Sequence, residues 1–288
     1  MSKLIDIDPI ASDDQGCEAS YQYFEAKPIN GALGAELQGI DLLTTTDKLA
    51  FSEIHDALMR HQVLVFRDQV LEPSDLVRIG KQFGDLDVNP FVKSVENHPE
   101  VMPVRSEENH EKRFTGLWHS DISWGLNPSM GAMLYAVEVP SCGGDTLFSN
   151  MYLAFSSLSP GMRKMLRGLK AEHRVDRHHT AKPEYAEVPK DGVIHPVVTT
   201  HPVTGKKTLF VNEYFTTRLE SMSKEESIPL LSYLYQHAVR PDFTCRINWE
   251  PGTLVFWDNR CTQHYATNDY PGQKRLMHRV TIKGDKPA

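Results

Sequence analysis

Long apolar runs are missing from this 288-residue chain. None approaches the roughly 18 residues needed to span a bilayer, so no membrane segment is expected. The opening MSKLIDIDPIASDDQG has neither a basic start nor an apolar stretch, so no secretion signal is expected either. Cysteine is sparse. Cys17, Cys142, Cys245 and Cys261 lie far apart and form no CxxC pair. That excludes zinc-ribbon and thioredoxin-like sites and suits a reducing cytoplasm. Positive charge is in deficit, with 31 Lys and Arg against 38 Asp and Glu and a net charge of −7. A general binder of nucleic-acid backbone is thereby disfavoured, while a small anion in a locally basic pocket is not. Internal repeats, low-complexity tracts and Gly/Ser/Pro linkers are absent as well. One domain over 27–288 is expected, after an irregular lead-in over 1–26. With a mean hydropathy of −0.41, the whole reads as a soluble globular protein of the cytoplasm.

What is present is a succession of short strands with a few helices. Phe51, Ile54 and Leu58 recur at helical spacing and predict a helix over 46–61. A buried strand over 63–68 follows, then a helix over 71–84 with Pro73 near its start and Gly84 at its end. From residue 116 strand patterns dominate: GLWHSDISW (116–124), SMGAMLYAVEVP (129–140) and DTLFSN (145–150). Ser159-Pro160 opens a helix expected to run through GMRKMLRGLKAEH, and the polar stretch 174–192 reads as a loop or lid. HPVVTTHP and KTLFVNEYF are strand candidates. Ser223 and Glu226 form a capping box for a helix that stops before Pro241, and TCRINW, TLVFWD and RLMHRVTI complete the strands. Many short strands with turn punctuation predict a mainly β protein with flanking helices, built as a jelly-roll barrel.

The chain has 13 histidines, so a single one says little. His178 and His179 lie in the polar stretch, and His278, flanked on its face by Leu276 and Val280, reads as packing. His119-x-Asp121 stands out because residues i and i+2 of a strand share a face. Such a pair is compatible with a metal site, an acid/base pair or an ordinary buried hydrogen bond. His264 adds a second imidazole. Two histidines and a carboxylate on one face of a metal leave three positions open, the arrangement of non-haem Fe(II) oxygenases. Further along, Arg275 and Arg279 would point the same way along a strand, about 13 Å apart at roughly 3.3 Å per residue. On a solvent face they would be ordinary surface charges. Lining a barrel, two buried cations call for two anions, and the guanidinium fork suits carboxylate or sulfonate oxygens.

The stretches LWHSD, GGDTLF, THPVTGK, LFVNEYFTTR, WDNRCTQHYA and RLMHRVTIKGDKP resemble, together, the taurine/2,4-D dioxygenase (TauD/TfdA) branch of the Fe(II)- and 2-oxoglutarate-dependent oxygenases. The resemblance runs from about residue 27 to the C-terminus and implies a double-stranded β-helix, the cupin-like jelly roll. It implies His119, Asp121 and His264 as iron ligands and as the catalytic centre. Thr146 and Arg275 would hold the distal carboxylate of 2-oxoglutarate, Arg279 the substrate anion, and Phe215 an aromatic wall. Oxidative decarboxylation of 2-oxoglutarate with O2 would drive hydroxylation of the substrate. A hydroxyl placed beside a heteroatom gives a product that fragments.

Where the taurine enzymes carry a His, Tyr, Asn and Phe around their substrate, this chain has Asn89, Val92, Thr115 and His179. Retention of Arg279 without those groups implies a small organic anion other than taurine, with a sulfonate or sulfate ester favoured. An aryloxyalkanoate or other carboxylate hydroxylase of the same family is the alternative substrate reading. A metal-binding jelly roll without turnover is the alternative of another class, and the Thr146/Arg275 clamp weighs against it. A zinc hydrolase would need a general base at the metal-bound water, and no motif supplies one. No nucleic-acid or membrane partner is expected. A homo-oligomer, dimer or tetramer, is.

Overall fold

The strand Val63–Phe66 is buried at every residue, because both faces of its sheet are covered. The computed structural model describes residues 20–89, 92–107, 116–175 and 191–288. In it, seven strands form one sheet in the order Glu25–Pro28, Ala35–Gln38, Val63–Phe66, Leu254–Asp258, Gly131–Glu138, Arg275–Ile282, Met102–Ser106. Neighbours are antiparallel except Ala35–Gln38 beside Val63–Phe66.

Alternation along these strands serves two cores. Leu64, Phe66, Met133, Tyr135, Leu254, Phe256, Val280 and Ile282 pack beneath the helices Lys48–His61 and Pro73–Gly80. Val63, Val65, Ala132, Leu134, Val255, Trp257 and Met277 point the other way, against Phe148, Cys245, Ile247 and Trp249. Phe148, Cys245 and Ile247 belong to the opposing sheet, Thr244–Ile247, Thr146–Asn150, Thr262–Ala266. The two sheets form the double-stranded β-helix. A third apolar cluster packs the helix Lys224–Ala238 and the helices Met151–Ser156 and Pro160–Leu166 onto strands that include Lys170–His173 and Thr216–Leu219.

Helix ends follow their local chemistry. Asp47 caps the helix Lys48–His61 by accepting from the Leu49 N–H, and Gln62 leaves it at φ 65°. Ser223 and Glu226 close their capping box reciprocally. Among the described residues no helix is long and apolar enough to cross a membrane.

Several boundaries differ from the sequence-based expectation. The first strand begins at Glu25, inside the expected lead-in, and the helix after Pro73 ends at Gly80 rather than 84. The helix opened by Ser159-Pro160 stops at Leu166, before Gly168, whose backbone freedom disfavours helix. The KAEH stretch is instead a strand, paired with Val193–Pro196 and Thr216–Leu219. Only Lys207–Leu209 of KTLFVNEYF is strand. GLWHSDISW is not a strand: His119 makes one isolated bridge and the chain then turns at 121–124, with Ile122 at φ 53°. Most of the 174–192 stretch lies outside the described residues.

Candidate active site

Backbone pairing brings His119 and His264 together. The His119 N–H donates to the His264 carbonyl at 3.0 Å and the reverse bond is 2.9 Å, leaving the rings 4.2 Å apart. His119 Nδ1–H donates to the Leu117 carbonyl at 2.9 Å, which fixes the tautomer and leaves the Nε2 lone pair free. The Nε2 atoms of both histidines lie 3.8 Å from Asp121 Oδ1. These ligand-type atoms all fall within 4.8 Å of one another. The shared face therefore comes from a bridge and a turn, not from the i, i+2 rule of a strand.

Protonation states suit a cation. Burial pushes the His119 pKa down, and burial with the neighbouring His119 takes His264 down to about 3, so both imidazoles are neutral donors at pH 7. Burial alone would raise Asp121, but Arg279, His264 and His119 outweigh it and hold the carboxyl at about 2. Two neutral imidazoles and one carboxylate, buried on a common face, are the donor set of an Fe(II) site with open positions.

Both strand arginines occupy the inner face with Met277, as alternation requires. Arg275 is only 6% exposed, and among the described residues its Nε and Nη2 have no hydrogen-bond partner. Its guanidinium lies 5.8 Å from the Trp249 ring centre, and Trp249 Nε1–H donates to Thr146 Oγ1 at 3.1 Å. Thr146, Trp249 and Arg275 thus form one buried corner that has unused donors. A buried cation without an anion is costly, so the corner fits a carboxylate ligand such as the distal end of 2-oxoglutarate. Trp249 escaped the sequence reading because an inward tryptophan at a strand end looks like packing.

Arg279 differs from expectation in one respect. It was expected to be free for a substrate anion, but its Nη2 lies 2.7 Å from Asp121 Oδ2 and its Nε donates to Thr281 Oγ1 at 3.2 Å. Asp121 is therefore divided, with Oδ1 toward the imidazoles and Oδ2 toward the guanidinium. Phe215 is buried, edge-on to His119 at 6.1 Å between ring centres, and Tyr214, which sequence reasoning passed over, lies 5.6 Å from the same ring.

Of the remaining substrate candidates, Val92 is 40% exposed and donates its N–H to Asn89 Oδ1. Thr115 and His179 lie outside the described residues.

A second buried cluster, His201, Asp258 and Cys261, also gathers ligand-type atoms within 4.8 Å. Its groups are already spent. His201 Nδ1 accepts from the Val203 and Thr204 N–H groups, and Nε2–H donates to Asp258 Oδ2 at 3.0 Å. Arg260 Nε donates to Asp258 Oδ1 at 2.9 Å. Burial raises the Cys261 thiol well above its ordinary pKa. The cluster braces the turn between the strands Leu254–Asp258 and Thr262–Ala266.

Comparison with known proteins agrees with this chemistry. Residues 25–281 match the family described as taurine catabolism dioxygenase TauD, TfdA. An alkylsulfatase of Acinetobacter baylyi is 31% identical over 92% of this chain and 86% of its own length. An alpha-ketoglutarate-dependent sulfate ester dioxygenase of Pseudomonas putida is 30% identical over 92% and 91%. The crystal structure of a taurine dioxygenase from Burkholderia xenovorans superposes with a TM-score of 0.80 at 35% identity, covering 92% of this chain and 93% of the other. Fold, donor set and relatives agree on an enzyme that uses Fe(II), 2-oxoglutarate and O2, and the chain belongs to the TauD/TfdA family of 2-oxoglutarate-dependent dioxygenases.

Proposed function

We propose that the enzyme hydroxylates a small organic anion, a sulfate ester or alkyl sulfonate in preference to taurine, at the carbon next to the heteroatom. His119, Asp121 and His264 hold the iron, Thr146 and Arg275 hold the distal carboxylate of 2-oxoglutarate, and Arg279 receives the substrate anion. The observation that carries this reading is the presence of two inward guanidinium groups on one strand in different electrostatic states. Arg275 is buried with two nitrogens unmatched, whereas Arg279 lies beside the carboxylate ligand. One is prepared for a co-substrate carboxylate; the other stands where a second anion would meet the metal face.

When bound, the iron with 2-oxoglutarate and O2 supplies the oxidising power for C–H hydroxylation. The protein contributes position and charge. Arg279 offers five N–H donors, enough to keep Asp121 Oδ2 while it engages a sulfate or sulfonate. Phe215 and Tyr214 form an apolar wall by His119 that favours an alkyl or aryl body over a short ammonium chain. The names of the sulfate ester dioxygenase and alkylsulfatase relatives support the same class. A hydroxylated sulfate ester would collapse to an aldehyde and sulfate, and a hydroxylated sulfonate to an aldehyde and sulfite.

The test measures substrate-dependent succinate release for taurine, alkyl sulfonates, alkyl sulfates and aryloxyalkanoates, in the wild type and in Arg279→Leu. The anchoring role requires Arg279→Leu to lose anionic substrates while its 2-oxoglutarate KM stays near wild type. Equal turnover of alkyl sulfates by wild type and Arg279→Leu would remove the anchor. An aryloxyalkanoate emerging as the best substrate would replace the sulfur anion by a carboxylate.

A further inference from the structure

Asp121 is the one member of the metal triad that no backbone pairing supports. His264 sits within the strand Thr262–Ala266, and His119 is bridged to it by two backbone bonds. Asp121 lies instead in the turn 121–124, outside any strand. One side chain nevertheless bonds its backbone on both sides. Asn259 Oδ1 accepts from the Asp121 N–H at 2.7 Å, and Asn259 Nδ2–H donates to the Asp121 carbonyl at 2.9 Å. The side-chain amide thus imitates the reciprocal bonds that a neighbouring strand would give.

Asn259 is itself rigidly placed. It is 1% exposed, its own N–H donates to the Met130 carbonyl at 2.9 Å, and Nδ2 also approaches the Ser129 carbonyl and hydroxyl at 3.2 and 3.1 Å. It sits in the turn that Asp258, Arg260 and His201 brace, and this turn leads directly into the strand of His264. Ser120 Oγ–H adds a parallel tie to the Thr262 carbonyl at 2.8 Å. The segment carrying the carboxylate and the strand carrying the second histidine are therefore joined through one turn.

We propose that Asn259 is a positioning residue that registers the Asp121 carboxylate against the two imidazoles, so that its amide sets metal affinity. The inference rests on reading His119, Asp121 and His264 as the metal ligands. A buried asparagine that merely stabilised its own turn would spend its amide within that turn. Here the amide reaches both the N–H and the carbonyl of a residue 138 positions away, and its nitrogen also reaches Ser129. Removing the amide leaves the buried Asp121 N–H without this acceptor and its carbonyl with only the weaker Ser129 Oγ–H donor at 3.4 Å, and the turn can shift to find others. Because both Asp121 Oδ1–imidazole distances are 3.8 Å, even a small shift spoils the common face.

The experiment titrates the metal-free full-length protein with Mn(II), well below its melting temperature, and records thermal melting without metal. Four variants are compared with wild type: Asn259→Ala, Asn259→Ser, Asp121→Ala and Ser227→Ala. Ser227 is the control because its buried hydroxyl also holds backbone outside its own helix, accepting from the Leu219 N–H at 3.0 Å, but it lies in the helix Lys224–Ala238 and touches none of the triad's segments. Asn259→Ala should weaken Mn(II) binding by about 10- to 100-fold. Asn259→Ser, which retains one polar atom, should fall between it and wild type, and stands in if Asn259→Ala does not fold. Ser227→Ala should lower the melting temperature without changing Mn(II) affinity. Wild-type affinity in both Asn259 variants overturns the proposal, as does an equal loss in Ser227→Ala, which would mean general loosening. Wild-type affinity in Asp121→Ala would instead overturn the ligand assignment on which the proposal stands.

Discussion

Replacing Arg275 by methionine should make the ligand-free protein more stable and the co-substrate complex far weaker. Nε and Nη2 of this 6%-exposed side chain have no hydrogen-bond partner among the described residues. Burial penalises the charged form and lowers the Arg275 pKa from its ordinary value, yet a guanidinium stays protonated at neutral pH. Without 2-oxoglutarate the folded protein carries the cost of a buried, poorly compensated cation. Methionine fills similar volume without that charge, so Arg275→Met should gain about 1 kcal/mol or more, raising the melting temperature by roughly 2 °C or more. With 2-oxoglutarate the sign reverses. Breaking a buried ion pair costs about 3–5 kcal/mol, which weakens co-substrate binding on the order of 10²- to 10³-fold. The assay is anaerobic melting with Mn(II), with and without 2-oxoglutarate. At a hundred times its Kd a ligand adds about 2.7 kcal/mol of stability, and Arg275→Met should lose that increment at the same concentration. A variant that melts below wild type when ligand-free and still gains the full increment would refute the reasoning.

Other consequences can be checked independently. Anaerobic protein with Fe(II) and 2-oxoglutarate should show a weak visible charge-transfer band, and His119→Ala or His264→Ala should abolish it. Full band intensity in both variants would dismiss the ligand assignment. Asp258 would be raised by burial, but Arg260 and His201 hold it at about 2, below the ordinary value of 3.8. Its contribution, about 2 kcal/mol, is present above pH 4 and lost as the pH falls toward 2. Asp258→Asn should therefore be less stable at pH 7 and show a shallower loss between pH 4 and pH 2 in urea unfolding. Parallel pH curves would argue against the network.

The strands were legible where alternation has a clear consequence. In RLMHRVTI the period of two put Arg275 and Arg279 on one face, and the structure places that face against the opposing sheet with Met277. The KAEH stretch was misread because the helical spacing before it carries on past Gly168, and its strand partners lie 20 to 50 residues further along. GLWHSDISW misled for a related reason. Its turn depends on Asn259, 138 residues beyond Asp121, and no local pattern reports a bond of that range. The same limit hid the engagement of Arg279 by Asp121 and the Trp249 link between Thr146 and Arg275. Both follow from strands brought together by topology.

The most direct test of the account is product formation from a linear alkyl sulfate under iron, ascorbate, 2-oxoglutarate and oxygen, with taurine in parallel. The account predicts succinate and inorganic sulfate appearing together in equal amounts from the alkyl sulfate, at a rate above that of succinate with taurine. Fastest succinate release with taurine, or none above background with any sulfate ester or sulfonate, would contradict it.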